Sequence, residues 1–278
     1  MQDPFAYCAE LVRAADRDRY LATLFAPAQQ RGALHALYAF NVEIARVREV
    51  ARQPLAGEIR LQWWTDVLRG ERTEEANANP VAAGLLAIIE QYGLAADRLI
   101  DLIDARRFDL YDEPMAALAD LEIYTSRTSS ALFALAVQVL AGSGYDAVTT
   151  PAGRAYAIAA VLRGFPLHAA RHQLYVPGEL LERHQVNTED IFAGRVSAGL
   201  ATVLAELRAL ALGQLEAVHE RIAELPAQAL PVLLPVATVR PALRRLERSE
   251  AFSPADLPPW RRQWLIWRAA HNPARIAG

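Results

Sequence analysis

A chain of 278 residues with 53% hydrophobic and 22% charged side chains holds enough apolar material for a continuous core. Its 29 cationic residues against 32 acidic ones, net −3, give no bulk field for nucleic acid, so no nucleic-acid partner is expected. Cys8 is the single cysteine, which excludes an internal disulfide and a cysteine-based zinc site.

All 29 cations are arginine, a bias that reads as genomic. The N-terminus mixes acids with arginines and lacks the apolar stretch of a signal peptide. The run "ALFALAVQVLAG" contains Gln138 and falls short of the roughly 20 residues of a spanning helix. The expectation is a cytoplasmic protein with no signal peptide and no transmembrane helix.

Helical periodicity dominates, and alternating β-type stretches are almost absent. In chain order the spacing predicts helices over 4–15, 28–52, 57–70, 79–92, 94–112, 118–142, 151–169, 177–184, 197–224, 227–247 and 257–271. Breaks are expected at Pro54 and Gly57, from Gly70 to Pro80, at Gly93 and Pro114, and from Gly142 to Pro151. Pro226, Pro231, Pro235 and Pro241 require the helix over 227–247 to be kinked or broken. No repeat and no long linker interrupts the pattern, so residues 1–278 are read as one all-α domain.

On the helix 28–52, Leu34, Leu37, Tyr38, Ile44 and Val47 fall near one face, while Asn41, Glu43, Arg46, Arg48 and Glu49 punctuate it. Trp63 and Trp64 are read as core. Asp97, Asp101 and Asp104 form an acidic stripe that the interleaved Arg98, Arg106 and Arg107 mark as a solvated face. His168 and His172, at i and i+4, suit either a transition metal or a solvated pair, and the second reading is preferred because no third ligand is evident. Trp260, Trp264 and Trp267 recur at i, i+4 and i+7 beside Arg261 and Arg268. That combination fits an interfacial membrane helix, and a helix docked on its own core fits it equally.

The blocks "YLATLFAPAQQRGALHALYAFNVEIARVREV", "EIRLQWWTDVLRGE", "LEIYTSRTSSALFALAVQVLAG" and "YAIAAVLRGFPLHAARHQLYVPGELLERHQV" resemble the squalene/phytoene synthase family, in its order and at its spacing. The resemblance implies an isoprenoid-synthase-type helical bundle. Active members hold prenyl diphosphates through Mg²⁺ ions bound by two aspartate-rich motifs, because Mg²⁺ takes hard oxygen ligands and bridges them to phosphate. Laid on "YAFNVEIARVRE", the three aspartates of the first motif fall on Ala45, Arg46 and Glu49. Those of the second motif fall on Gly164 and His168, while Arg163, Tyr175 and Pro177 keep the frame.

"AFNVEIA", "YCAELVR" and "LRGFPLHAARHQLYVP" look like the degenerate branch of that family, whose members support biogenesis of respiratory complex I at the inner membrane. The resemblance implies a bacterial, non-catalytic protein with no metal and no cofactor. Its expected partners are a protein in respiratory complex assembly or a prenyl-type lipid, with a peripheral membrane contact. The inherited cavity is expected to carry Tyr38, Asn41, Glu43, Arg46, Arg48, Thr128, Ser129, Arg163, His168, Arg171, His172 and Tyr175. A cation-rich wall replaces a ring of carboxylates on this reading. Arg46, Arg48 and Arg163 either grip phosphate directly or pair with Glu43 and Glu49, and Thr128 and Ser129 either line the pocket or permit close helix packing. The alternative is an active Mg²⁺-dependent head-to-head prenyl transferase on farnesyl or geranylgeranyl diphosphate, using Glu49 with Asp104 or Asp109.

Overall fold

A computed structural model describes residues 3–51 and 53–278; Arg52, the last residue of the helix predicted over 28–52, lies outside them. Among the described residues the chain is helical without strands, which agrees with the all-α expectation. In chain order the helices are α1 (Pro4–Ala15), α2 (Arg17–Thr23), α3 (Arg31–Ala45), α4 (Val47–Val50), α5 (Pro54–Leu68), α6 (Thr73–Ala78), α7 (Pro80–Tyr92) and α8 (Ala96–Arg107). They continue as α9 (Leu118–Thr125), α10 (Ala131–Ala141), α11 (Asp146–Ala170), α12 (Gly178–Arg183), α13 (Thr188–Phe192), α14 (Ala198–Arg221), α15 (Leu230–Leu233), α16 (Val239–Glu247) and α17 (Pro259–His271).

Helix starts follow side-chain chemistry. Asp3 accepts from the Phe5 amide ahead of Pro4, Asn79 accepts from the Val81 and Ala82 amides ahead of Pro80, and Ser197 accepts from the Leu200 amide. Gly93, at φ +60°, supplies the left-handed residue that ends α7. The segment 227–247 breaks into a short α-helix, two 3₁₀ turns and α16, as its prolines require.

Three short helices escape the sequence reading. In α2 the string "DRDRY" reads as solvated charge, yet Asp18 and Arg19 are buried and Asp16 caps the helix through the Arg19 amide. Helices α6 and α13 are too short for a periodicity signal. Pro54 and Pro151, read as breaks, lie inside helices: Pro54 opens α5, and Pro151 sits early in α11, where the carbonyl it strands belongs to exposed Ala147.

The core runs along α3, which packs against α1 and α7, and along α11, which packs against α14. From Ala33 to Val42 every residue of α3 is buried, so the helix is central rather than amphipathic, and His35, Tyr38 and Asn41 are enclosed with it. Phe40 meets Trp64 edge-on with ring centroids 5.1 Å apart, while Trp63 is only half-buried.

A π-helical turn, Ser126–Ser130, joins α9 to α10 where sequence predicted one continuous helix. There α11 crosses so closely that a Cβ on Gly153 would fall inside the Ser130 backbone, and the Ser130 hydroxyl donates to the Thr150 carbonyl at 2.8 Å.

At the C-terminus, α17 buries Ile266 and Ala269 and ties itself to α2 by a bidentate Arg262–Asp18 ion pair. Its three tryptophans face away, 67%, 46% and 53% exposed at Trp260, Trp264 and Trp267. Docking on its own core therefore does not explain the tryptophan stripe. One helical stretch, Ala198–Glu224, is long and apolar enough to cross a membrane by length and composition, a property the sequence reading missed. It is the helix packed along α11 and it carries Glu206, Arg208, Glu216 and Glu220.

Candidate functional site

A cavity of about 230 Å³ opens where the end of α3, the residues after α8, the π turn and the C-terminal half of α11 converge. Ala45, Arg48, Glu49, Arg106, Asp109, Tyr124, Thr128, Ser129, His168, Arg171, Gln173 and Tyr175 supply its polar and small walls, with Val161 and Leu167 among the apolar ones.

Asp109 organises it. The carboxylate is buried, and one oxygen accepts from the hydroxyls of Tyr124 and Tyr175, each at 2.8 Å. The other accepts from the Arg106 guanidinium at 3.1 Å, which also donates to the Tyr124 hydroxyl at 2.7 Å. The Asp109 backbone carbonyl takes bonds from Arg48 at 2.9 Å and Gln173 at 3.1 Å. Phe108, Tyr124 and Tyr175 close an aromatic wall around the group, with centroids 5.7–5.9 Å apart. Burial, reinforced by the Asp109 charge, pushes both tyrosines well above their ordinary range, so they stay protonated donors. For Arg106 burial opposes the charge, but Tyr124 and Asp109 outweigh it and hold the guanidinium above its usual range. Its Nε is buried without a partner.

Only part of the predicted set meets here. Arg48, Thr128, Ser129, His168, Arg171 and Tyr175 line the cavity, as do Ala45 and Glu49. Tyr38 lies in the core under the Arg19 guanidinium, 5.6 Å from its ring, and Asn41 is buried on the same helix. Glu43 pairs with Arg60 at 3.5 Å, and Arg46 turns outward to Glu49 at 3.2 Å. Arg163 points to the other side of α11 and pairs with Asp256 at 3.3 Å. His172 is exposed in a left-handed conformation at φ +57°, its ring against Phe192, so the His168–His172 pair does not converge.

Three arginines thus face two carboxylates, an excess of one positive charge where the motif comparison predicted a larger reversal. Two of the three are engaged, since Arg48 also pairs with Asp112 at 2.5 Å; Arg171 alone forms no ion pair among the described residues. Arg106, Tyr124 and Gln173 were not singled out from sequence. Arg106 read as part of a solvated stripe, and nothing in local spacing reveals a carboxylate that binds partners 15 and 66 residues away.

The His168 ring lies 4.6 Å from that of Tyr175. Burial, helped by Arg171, lowers its pKa to about 4, so it is neutral near pH 7 and adds no cation to the wall. His35, stacked on Tyr20, is likewise pushed down to about 4 by burial and Arg31. Both folded values lie below the unfolded value near 6.5, so the full stability is present above pH 6.5. It declines as the unfolded chain takes up protons between about pH 6.5 and 4, by up to about 2 kcal/mol per histidine. Urea unfolding at pH 7.5 and 4.5 measures this, and His168→Phe should flatten the dependence by its share.

Gly164 explains how that ring fits. A Cβ at residue 164 would come within 3 Å of the imidazole, so any side chain there drives His168 off Tyr175. Gly164→Asp should cost about 1–3 kcal/mol, and His168→Ala in the same chain should recover most of it. A double-mutant cycle in urea measures the coupling.

Over 248 residues the chain is 28% identical to a Rattus norvegicus protein named NADH dehydrogenase (ubiquinone) complex I, assembly factor 6, covering 88% of this chain and 74% of the other. The Homo sapiens protein of that name is 27% identical, over 87% and 73%. A phytoene synthase of Thermus thermophilus is 25% identical over 74% of this chain and 71% of its own length. Among solved structures, a dehydrosqualene synthase in complex with ligand superposes with TM-score 0.82 at 18% identity, covering 97% and 96% of the two chains. A squalene synthase of Alicyclobacillus acidocaldarius gives 0.72 at 19%, over 97% and 95%. At these identities the structural matches speak for the fold alone. The model of the squalene/phytoene synthase family matches residues 12–268, nearly the whole helical core, and by that measure the chain belongs to the squalene/phytoene synthase family.

Proposed function

We propose that this chain supports assembly of a respiratory complex of the NADH dehydrogenase type, acting by binding rather than by ionising prenyl diphosphates. The observation that carries the reading is the state of Asp109, the only buried carboxylate of the cavity. Its oxygens already accept from Tyr124, Tyr175 and Arg106. A Mg²⁺ ion needs several free hard-oxygen donors, and here a guanidinium occupies the place beside one carboxylate oxygen. Glu49, the surviving motif acid, is about half exposed and paired with Arg46. The donor set does not fit Mg²⁺.

Size supports the same reading. At about 230 Å³ the cavity lies below the roughly 300–1,000 Å³ usual for small-molecule sites and leaves little room for two prenyl chains. The relatives named as complex I assembly factors match more of this chain than the phytoene synthase does, which favours their role. A small anionic head group, such as that of a prenyl-type lipid, could be met by Arg171 and the unpartnered Arg106 Nε.

The test deletes the gene in its source organism and measures assembled NADH dehydrogenase on native gels. Assembly should fall, and both the wild type and Glu49→Gln should restore it fully. A prenyl transferase would use Glu49 and Asp109, the two acids that line the cavity, whereas Asp104 is exposed and bound to Arg107. Release of pyrophosphate from farnesyl or geranylgeranyl diphosphate, abolished by Glu49→Gln, would establish that activity and overturn the binding reading.

A further inference from the structure

Four arginines gather in a concavity at the end of α16 and the start of α17: Arg244, Arg245, Arg248 and Arg261. None forms an ion pair or donates a side-chain hydrogen bond among the described residues, in a chain whose net charge is −3 and whose other arginines are mostly paired. Unneutralised cations this close repel one another, and the surface gains free energy when an anion settles among them. The nearby acids do not settle there: Glu247 and Glu250 line the neighbouring apolar cavity with Leu246 and Phe252.

Beside the concavity lies the tryptophan stripe. At 100° per residue, Trp260, Trp264 and Trp267 fall within about 60° of one another on α17, and Arg261 and Arg268 flank them along one edge. Arg268 stacks over the Trp264 ring at 4.2 Å, keeping its charge at the rim. The apolar strip continues past His271 onto Phe25, whose ring meets that histidine at 6.3 Å, and onto Leu24; both residues are about 40% exposed.

We propose that this face docks on an anionic phospholipid bilayer, the arginines taking head-group phosphates and the tryptophans inserting at the level of the head groups. Indoles are amphipathic and settle at the membrane–water boundary, while a helix whose other face is fixed to the protein by Ile266, Ala269 and Arg262 lies flat on the surface. The stripe runs along the outer face of a helix fixed to the protein by its other face, which suits a flat lipid surface, and a net charge of −3 gives the chain no bulk field for nucleic acid. The docking is independent of what the Asp109 cavity binds, so failure of either reading leaves the other standing.

Co-sedimentation of the full chain with vesicles tests it, using phosphatidylcholine alone and phosphatidylcholine with phosphatidylglycerol. Binding should appear only with the anionic lipid, weaken in high salt, and blue-shift the tryptophan emission, since three of the five tryptophans lie in the patch. The triple substitution Arg244→Gln, Arg245→Gln, Arg248→Gln should lower the partition coefficient on the order of 100-fold. Trp264→Gln with Trp267→Gln should remove most of the spectral shift, leaving only the contribution of Trp260. All five side chains are exposed, and circular dichroism checks that each variant stays folded. No sedimentation, equal binding to both vesicle types, an unaffected arginine variant, or tighter binding to a single-stranded oligonucleotide than to the anionic vesicles would each overturn the proposal.

Discussion

Asp109→Ala should lower the unfolding free energy by about 3–5 kcal/mol, the largest loss expected from a single polar substitution in this chain. The carboxylate neutralises Arg106, and without it a guanidinium with 17% of its side-chain surface accessible stays behind with an already unpartnered Nε. The Tyr124 and Tyr175 hydroxyls lose their shared acceptor in the same step. Asp109→Asn should cost less, because the amide oxygen still accepts from one or both tyrosines. The double variant Asp109→Leu with Arg106→Met should recover much of the loss, since removing both charges removes the desolvation penalty along with the attraction. Urea denaturation of the wild type, Asp109→Leu, Arg106→Met and the double variant completes the cycle. Additive losses would mean that Arg106 does not depend on Asp109.

The second large effect belongs to Gly153. Its missing side chain lets α11 rest against the backbone at Ser130, so Gly153→Val places branched carbons where main-chain atoms stand and nothing flexible can yield. The helices must separate, at a cost of at least about 3 kcal/mol. The damage should extend to the cavity, because Thr128 and Ser129 on the π turn and Ala157 and Ala160 on α11 are opposite walls held together at this crossing. Expected results are a lower midpoint in thermal melting and faster hydrogen exchange in α10 and α11 than in α1 and α7, which pack elsewhere. Uniform exchange across all four helices would show that the crossing does not set the local geometry.

The sequence disclosed the fold more fully than the site. Helices such as α1, α12 and α17 announce themselves by capping residues, prolines and apolar spacing, all local signals. The resemblance in the motif blocks then located Ala45, Glu49 and His168, which do face one cavity. Spacing could not tell which side of α11 Arg163 takes, because neighbouring positions on a doubly packed helix look alike until both partners are known. Nor could it tell that α3 is enclosed all round, since Asn41, Glu43 and Arg46 punctuate the helix with polar side chains, and the burial of Asn41 and His35 depends on helices distant in the chain. Asp109 stayed one alternative acid among several because its role rests on long-range bonds to Tyr124 and Tyr175, and a one-dimensional pattern carries no trace of these.

The fit between Gly164 and His168 also constrains which substitutions this turn of α11 can accept. The imidazole can sit where it does only while residue 164 has no side chain, and an acid can enter at 164 only after the imidazole has shrunk or turned away. An acid introduced at 164 first therefore meets the imidazole, whereas one introduced after residue 168 has been shortened does not, so the two positions accept substitution in a fixed order, 168 before 164. A contact between two residues one helical turn apart thus makes the tolerance of one position conditional on the occupant of the other.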